Sequence, residues 1–169
     1  MIVEHGLFEP KSWTDLAHPA FRNEIAIAHP ATTGTAYTAP ATVAQLPDRG
    51  PEPVLAYFRE LNANVRVYPR AGSDAARLAG RGALAIDVAF SHDIVRAMED
   101  GASDLSIVCP SEGVGHEIVA MALLTNAPSP VEATRLSSIK LIDYDFRWAA
   151  ANREKLLREF AEQVAPAPA

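Results

Sequence analysis

The chain has 169 residues, 49% of them apolar, with 15 Lys and Arg against 21 Asp and Glu for a net charge of −6. That length and apolar content suit one domain with a packed core and exclude wholesale disorder. The acidic balance argues against a general nucleic-acid binder, which would carry a basic stripe, and no apolar run reaches the length of a membrane span. Cys109 is the sole cysteine, so no intrachain disulfide can form; beside a strand end it is expected to be a small buried apolar residue. Met1-Ile2-Val3-Glu4-His5-Gly6 has neither a basic stretch nor a long apolar one and does not read as a secretion signal.

Residues 1–19 are mixed and hold two prolines. Within them Ser12-Trp13-Thr14-Asp15-Leu16 predicts a short capped helical turn, with Ser12 as cap, Asp15 three residues on, and Trp13 and Leu16 packed together. Ile25-Ala26-Ile27-Ala28 is an apolar run stopped by His29-Pro30, the pattern of a buried strand. A helix opens at Thr33–Thr35 and carries Pro40 in its first turns. Asp48-Arg49-Gly50-Pro51 is a turn, and from Pro51 to Leu61 the spacing of Val54, Leu55, Phe58 and Leu61 predicts one buried helix face, ended by Asn62-Ala63-Asn64.

Val65-Arg66-Val67-Tyr68 alternates as a strand. Ser73-Asp74 is expected to cap a helix over Ala75–Ala79, closed by Gly80-Arg81-Gly82. Leu84 to Phe90 reads as a strand, Ser91 as the cap of a helix from Asp93 to Met98, and Leu105-Ser106-Ile107-Val108 as a further strand. Glu117 to Leu124 fits a strand or a helix, and Asn126 to Pro130 a loop. Phe146 to Val164 predicts the longest helix, with Trp148, Leu156, Leu157, Phe160 and Val164 as its buried stripe and a frayed tail beyond. Strands alternating with helices at short spacing predict an α/β layered domain.

Three segments carry the functional signal. Thr32-Thr33-Gly34-Thr35 is a small-polar turn opening a helix; Thr33, Gly34 and Thr35 either form an ordinary cap or offer unpaired N–H groups to an anion. His92 and Asp93 follow a strand, where Asp93 suits a helix start and the pair also suits hydrogen bonds to a hydroxylated or amino ligand. Glu112, in the turn Pro110-Ser111-Glu112-Gly113-Val114-Gly115, is either an exposed loop acid or an acceptor facing a ligand that the two glycines let approach. Glu117 reads as part of a connecting strand rather than of the site. No adjacent tyrosine pair exists, and His5, His18, His29, His92 and His116 lack close metal-ligand spacing. His18 and His29, each before a proline, read as loop residues, and Arg70, Arg77 and Arg81 as solvated.

The order of these pieces resembles the extracellular solute-binding proteins of ABC importers, in the group that includes ferric-ion, phosphonate and sugar-phosphate binders. The likeness rests on Pro10–Leu16, Ile25–Thr38, Ala71-Gly72-Ser73, Ala79–Gly82, Phe90–Asp93, Pro110–Glu117 and Ile139–Phe146. It implies a type 2 periplasmic binding fold, two α/β lobes with the ligand in the cleft between them, of which this chain resembles only the later part. It also implies residues 1–22 as lead-in, 23–118 as a ligand-binding lobe with a mixed or parallel sheet, and 119–169 as a hinge return and last helix. The amino-terminal lobe and export signal of the family have no counterpart here, nor does a helical segment near Ala133–Leu136. The chain thus reads as roughly one lobe plus a remnant.

By this resemblance the site is Thr33, Gly34 and Thr35 on an anionic group, with His92, Asp93 and Glu112 on the rest of a small solute. Hand-over to an ABC permease in the periplasm is expected, with no cofactor and no metal. Two other readings stand beside it. One is a truncated remnant that folds, or dimerises to cover an exposed lobe face, without binding. The other is a small enzyme with His92, Asp93 and Glu112 as acid and base, although no nucleophile elbow, phosphate loop or metal motif anchors a reaction.

Overall fold

The computed structural model describes residues 7–47, 51–102, 104–117 and 141–167. Among these, three short strands, β1 (Ile25–Ile27), β2 (Val65–Val67) and β3 (Ile86–Val88), form a parallel sheet in the order β2-β1-β3. Every residue of β1 is buried, as a central parallel strand covered on both faces requires. Five helices surround the sheet: α1 (Gly34–Ala44), α2 (Pro51–Asn62), α3 (Gly72–Gly80), α4 (Ser91–Glu99) and α5 (Phe146–Gln163). The α/β layering with a parallel sheet is the one the alternating pattern predicts. The strands beginning at Val65 and Leu84 are shorter than expected.

Helix α2 buries Val54, Leu55, Phe58 and Leu61, the stripe legible in the sequence. Phe58 meets Phe160 of α5 edge-on at 5.4 Å between ring centroids, and Phe160 meets His29 in the same way at 5.4 Å. Each such buried side chain contributes about 1.5–3 kcal/mol of transfer free energy. Helix α5 buries Ala149, Leu156 and Phe160, while Trp148, Leu157 and Val164 pack more loosely at the core's edge. Tyr37 of α1 ties α5 to the body by donating its hydroxyl to the carbonyl of Ala149 at 2.6 Å.

The expected turn over Ser12–Leu16 is a 3-10 turn, Thr14–Ala17. Ser12 Oγ accepts from Asp15 N at 3.0 Å, while the Asp15 carboxylate accepts from the N–H groups of Ser12 at 3.1 Å and Lys11 at 2.8 Å. These bonds hold the Asp15 carboxyl below its ordinary range, the Lys11 bond chief among them.

Several local expectations fail. Ser73 and Ser91 are not caps: α3 starts at Gly72, three residues before the expected Ala75, with Ala71 as N-cap, and α4 starts at Ser91, two before the expected Asp93, with Phe90 as N-cap. In both helices the polar side chain stands one or two residues too late to reach back to the first free N–H groups. Residues 105–108 form no strand; Leu105 packs instead in a cluster with Ala76, Ala79, Ile94 and Ala97 on α3 and α4. Cys109 is exposed rather than buried. The tail is anchored at its start: Ala165 is buried and its carbonyl meets His29 Nε2 at 3.0 Å. His29 is accordingly a fully buried residue, whose Nδ1 accepts from Ala31 N. The turn at 48–50 and the expected element and loop within 118–140 lie outside the described residues, as does the region of Ala133–Leu136.

Candidate ligand-binding site

The strand order fixes where a ligand belongs. From β1 the chain passes to β2 on one side and later to β3 on the other, so the connections after β1 and β3 diverge and leave a crevice at the carboxyl ends of these two strands. Helix α1 follows β1 and helix α4 follows β3, so both helix starts face that end of the sheet. Two cavities lie there. The smaller, about 100 Å³, is walled by Ala28, Ala36, Thr38 and Asp93 among others; the larger, about 340 Å³, by Asp87, Phe90, His92 and Ile107. Trp13, Val88, Ala89, Phe90, Val114 and Gly115 belong to both walls.

At the start of α1, Thr33 is the N-cap in extended backbone, and its hydroxyl accepts from Ala36 N at 2.9 Å. Helix geometry leaves the N–H groups of Gly34 and Thr35 without an intrahelical acceptor. The Glu117 carboxylate approaches this first turn: Oε1 accepts from the Thr38 hydroxyl at 2.9 Å and would lie 3.8 Å from a Cβ placed on Gly34. One of the chain's own anions thus lies where the helix dipole favours negative charge.

At the start of α4, His92 stacks on Phe90, with ring centroids 5.5 Å apart, and its Nε2 stands 3.9 Å from Asp93 Oδ2. The His92 side chain is 69% exposed and that of Asp93 only 19%, so the histidine reaches outward into the larger cavity while the carboxylate turns into the smaller one. Below them on β3 lies Asp87, 6% exposed, with no hydrogen-bond partner on either carboxylate oxygen. Burial pushes its carboxyl well above the usual carboxylate range, and the nearby Asp93 adds to the rise. His116 closes the wall with its Nδ1 buried and unpartnered, its ring edge-on to Phe146 at 5.3 Å.

The Glu112 carboxylate faces inward to the protein. It accepts from Trp13 N at 3.1 and 3.3 Å and from the Ser111 hydroxyl at 3.2 Å. The Trp13 indole N–H donates to the carbonyl of Gly113 at 3.0 Å, so both ends of Trp13 are tied to this turn. Gly113 needs its glycine, with φ +115. Gly115 serves close packing: a Cβ there would stand 2.0 Å from Thr42 Oγ1.

Residues 3–146 match the family described as bacterial extracellular solute-binding protein. The chain belongs to that family. Among solved structures, this solute-binding protein is similar to the periplasmic binding protein AfuA from Actinobacillus pleuropneumoniae, whose structure holds fructose-6-phosphate. That likeness has a TM-score of 0.80 and 31% identity over 95% of this chain and 62% of AfuA. A second periplasmic binding protein, 23% identical, shares the fold with a TM-score of 0.76 over 94% of this chain and 62% of its own. An uncharacterized protein of Haemophilus influenzae is 39% identical over 118 residues, 70% of this chain and 33% of the relative. The chain thus spans about a third of that relative and less than two thirds of the two solved chains.

In this solute-binding protein His92 borders the larger cavity and Asp93 the smaller one, which α1 meets through Ala36, Thr38, Ala39 and Thr42; Thr33 and Gly34 line neither. Glu112 stands apart from them, on the backbone of Trp13. Sequence reasoning missed Asp87, gave Glu117 to a connecting strand rather than to the site, and weighed His116 only as a metal ligand. For Asp87 a signal existed: an acid in the middle of the apolar run Leu84–Phe90, where a buried strand has no solvent for it. Among the described residues no cluster of three His, Cys, Asp or Glu side chains could hold a metal ion, and no helix is long and apolar enough to cross a membrane.

Proposed function

We propose that this chain is the solute-binding part of an ABC importer and takes a small anionic solute, a sugar phosphate or a phosphonate, into the crevice between β1 and β3. The observation that supports the reading is that α1, which opens at Thr33-Gly34-Thr35, and α4, which opens at Ser91-His92-Asp93, each follow a strand of the sheet and border these cavities, α1 through Ala36 and Thr38 and α4 through His92 and Asp93. The N–H groups of Gly34 and Thr35 suit the anion. The imidazole of His92 and the carboxylate of Asp93 suit the hydroxyl or amino groups of the solute's body. Glu117 is exposed and swings off the start of α1 as the anion arrives. Glu112 acts at one remove, by holding Trp13 in the cavity wall.

A hexose phosphate is the first ligand to try, because AfuA, similar to this chain at 31% identity, is described with fructose-6-phosphate bound. Ferric ion fits less well, since the sequence has no adjacent tyrosine pair. The family matched is one of solute-binding proteins and the two solved structures are described as periplasmic binding proteins, so the reading contains no turnover. In the complete receptor a second lobe closes over the solute in the periplasm, and the permease takes it from there.

Thermal unfolding with inorganic phosphate, fructose 6-phosphate, glucose 6-phosphate, an alkylphosphonate, ferric ion and free hexoses tests the reading. A ligand at a hundred times its Kd adds about 2.7 kcal/mol of stability. The expected result is a rise in Tm with a phosphorylated compound, absent with the free hexose and lost in His92→Ala. A cooperatively folded protein that no anion stabilises overturns it. A second reading, a folded remnant that self-associates instead of binding, draws on Ile107 and Leu141, 41% and 42% exposed in the wall of the larger cavity. Sedimentation over a range of concentrations separates the two.

A further inference from the structure

We infer that His29 is a positioning residue for the anion: its ring holds the turn that opens α1 and ties that turn to the segment after α5. The inference rests on the proposal that an anion binds at the start of α1, and it adds the part of the chain that keeps that start in place.

His29 follows β1 and stands four residues before Thr33, the N-cap of α1. Ala28, the residue before it, belongs to the wall of the smaller cavity. The ring is fully buried and edge-on to Tyr68 and Phe160, with centroids 5.6 and 5.4 Å away. The backbone at this residue joins two wall segments. Its N–H donates to the carbonyl of Pro69 at 3.4 Å, three residues before Gly72 of the same wall. Its carbonyl accepts from the N–H and the hydroxyl of Thr32 at 2.9 and 2.8 Å. An apolar residue would fill this space at less cost, since a buried imidazole must have both nitrogens satisfied.

The two ring nitrogens decide what the side chain does. Nδ1 accepts from Ala31 N at 3.2 Å, so it carries no proton. The ring proton is then on Nε2, which donates to the carbonyl of Ala165 at 3.0 Å. The other neutral tautomer would lose both bonds. Nδ1 thus orders the residues that lead into the Thr33 cap, while Nε2 reaches across 136 residues to the segment that α5 delivers. Ala165 is itself buried, and its N–H bonds the carbonyl of Phe160 at 3.1 Å. Hydrogen bonds weaken steeply with misalignment, so the aim of the Gly34 and Thr35 N–H groups depends on how the turn before them is held. His29 holds it from inside the core, out of reach of the solute.

Two variants separate the two ends of the ring. In His29→Asn the side-chain oxygen takes the place of Nδ1 and the chain is too short to reach Ala165. In His29→Gln the amide donor takes the place of Nε2 and Ala31 N loses its acceptor. Calorimetry gives the affinities of the full chain and of both variants for inorganic phosphate and fructose 6-phosphate, each variant first checked for cooperative unfolding. Amide exchange is followed at Ala31 and Ala165. His29→Gln is expected to bind the anions about tenfold more weakly, with faster exchange at Ala31 and none gained at Ala165. His29→Asn is expected to exchange faster at Ala165, to protect Ala31 and to lose less affinity. A merely structural histidine would leave the affinities of folded variants alone or lower both equally, and either result overturns the inference. The unsubstituted protein decides the matter even where a variant does not fold. Nitrogen NMR of its His29 ring is expected to show the proton on Nε2, and the ring and the Ala31 amide to shift together as fructose 6-phosphate is added. A proton on Nδ1, or signals that ignore a bound anion, overturns the role of His29 and keeps the anion site. If the unsubstituted protein binds neither anion, the anion site falls and the role of His29 with it.

Discussion

Glu112 accepts the backbone N–H of Trp13 at 3.1 and 3.3 Å across 99 residues of sequence. This charge-assisted bond, with the indole N–H on the carbonyl of Gly113, fixes a side chain that forms part of both cavity walls. Removing the carboxylate strands a part-buried donor at a cost of about 1–3 kcal/mol. Glu112→Ala is expected to lower stability by that amount in chemical denaturation and to shift Trp13 fluorescence to the red, with Glu112→Gln falling between. An unchanged spectrum and midpoint would remove Glu112 from this positioning role.

Thr33 caps α1 through its hydroxyl on Ala36 N. Thr33→Ala is expected to cost about 0.5–2 kcal/mol and Thr33→Ser only a fraction of that, since serine keeps the acceptor. Urea denaturation of the three proteins without ligand measures it. A ligand titration on the same set separates loss of the cap from loss of the anion site.

Gly115 has no room for a methyl group, because Thr42 Oγ1 would stand 2.0 Å from it and Tyr144 Cδ2 3.1 Å. Gly115→Ala is expected to destabilise by about 1–3 kcal/mol through overpacking. Thr42→Ala removes the obstructing hydroxyl, so the double variant Gly115→Ala/Thr42→Ala is expected to be more stable than the sum of the single losses predicts. Strict additivity in the double-mutant cycle would rule out this contact as the cause.

Asp87 gives stability a pH dependence of definite sign. Its carboxyl is raised in the folded protein by burial, and then by Asp93. An unfolded aspartate ionises near pH 3.9. Above that pH the unfolded chain releases a proton that the folded one keeps, so this residue lowers stability as pH rises, until the folded carboxyl itself titrates; below pH 3.9 its effect vanishes. Asp87→Asn is expected to gain stability relative to the unsubstituted chain as pH increases from 4 towards neutrality, by at most about 1.4 kcal/mol per pH unit. Paired urea melts across that range check it, and a constant difference would mean that Asp87 titrates normally in the fold.

What could be read from the sequence was local and periodic. The face of α2 follows from Val54, Leu55, Phe58 and Leu61 at helical spacing, and β1 from an apolar run cut off by Pro30. The cap at Thr33 was equally legible, because capping involves only neighbouring residues. Ser73 and Ser91 had the same composition and did not cap, because a shift of one or two residues in the helix start takes the hydroxyl out of reach. Leu105 and Ile107 had strand-like alternation, yet Leu105 packs against α3 and α4 and Ile107 is exposed.

The sequence by itself determined an α/β layered chain, the chemistry of its helix starts, and a resemblance that the family match bears out. Periodicity and capping act within a few residues, so one chain suffices to read them. Only the tertiary structure decided that Glu112 would hold Trp13, that Glu117 would come to rest over α1, and that Asp87 would lie buried with no partner beside a cavity. These are meetings between segments distant in sequence, and packing selects them by shape and by which donors are left over after the helices and the sheet have formed.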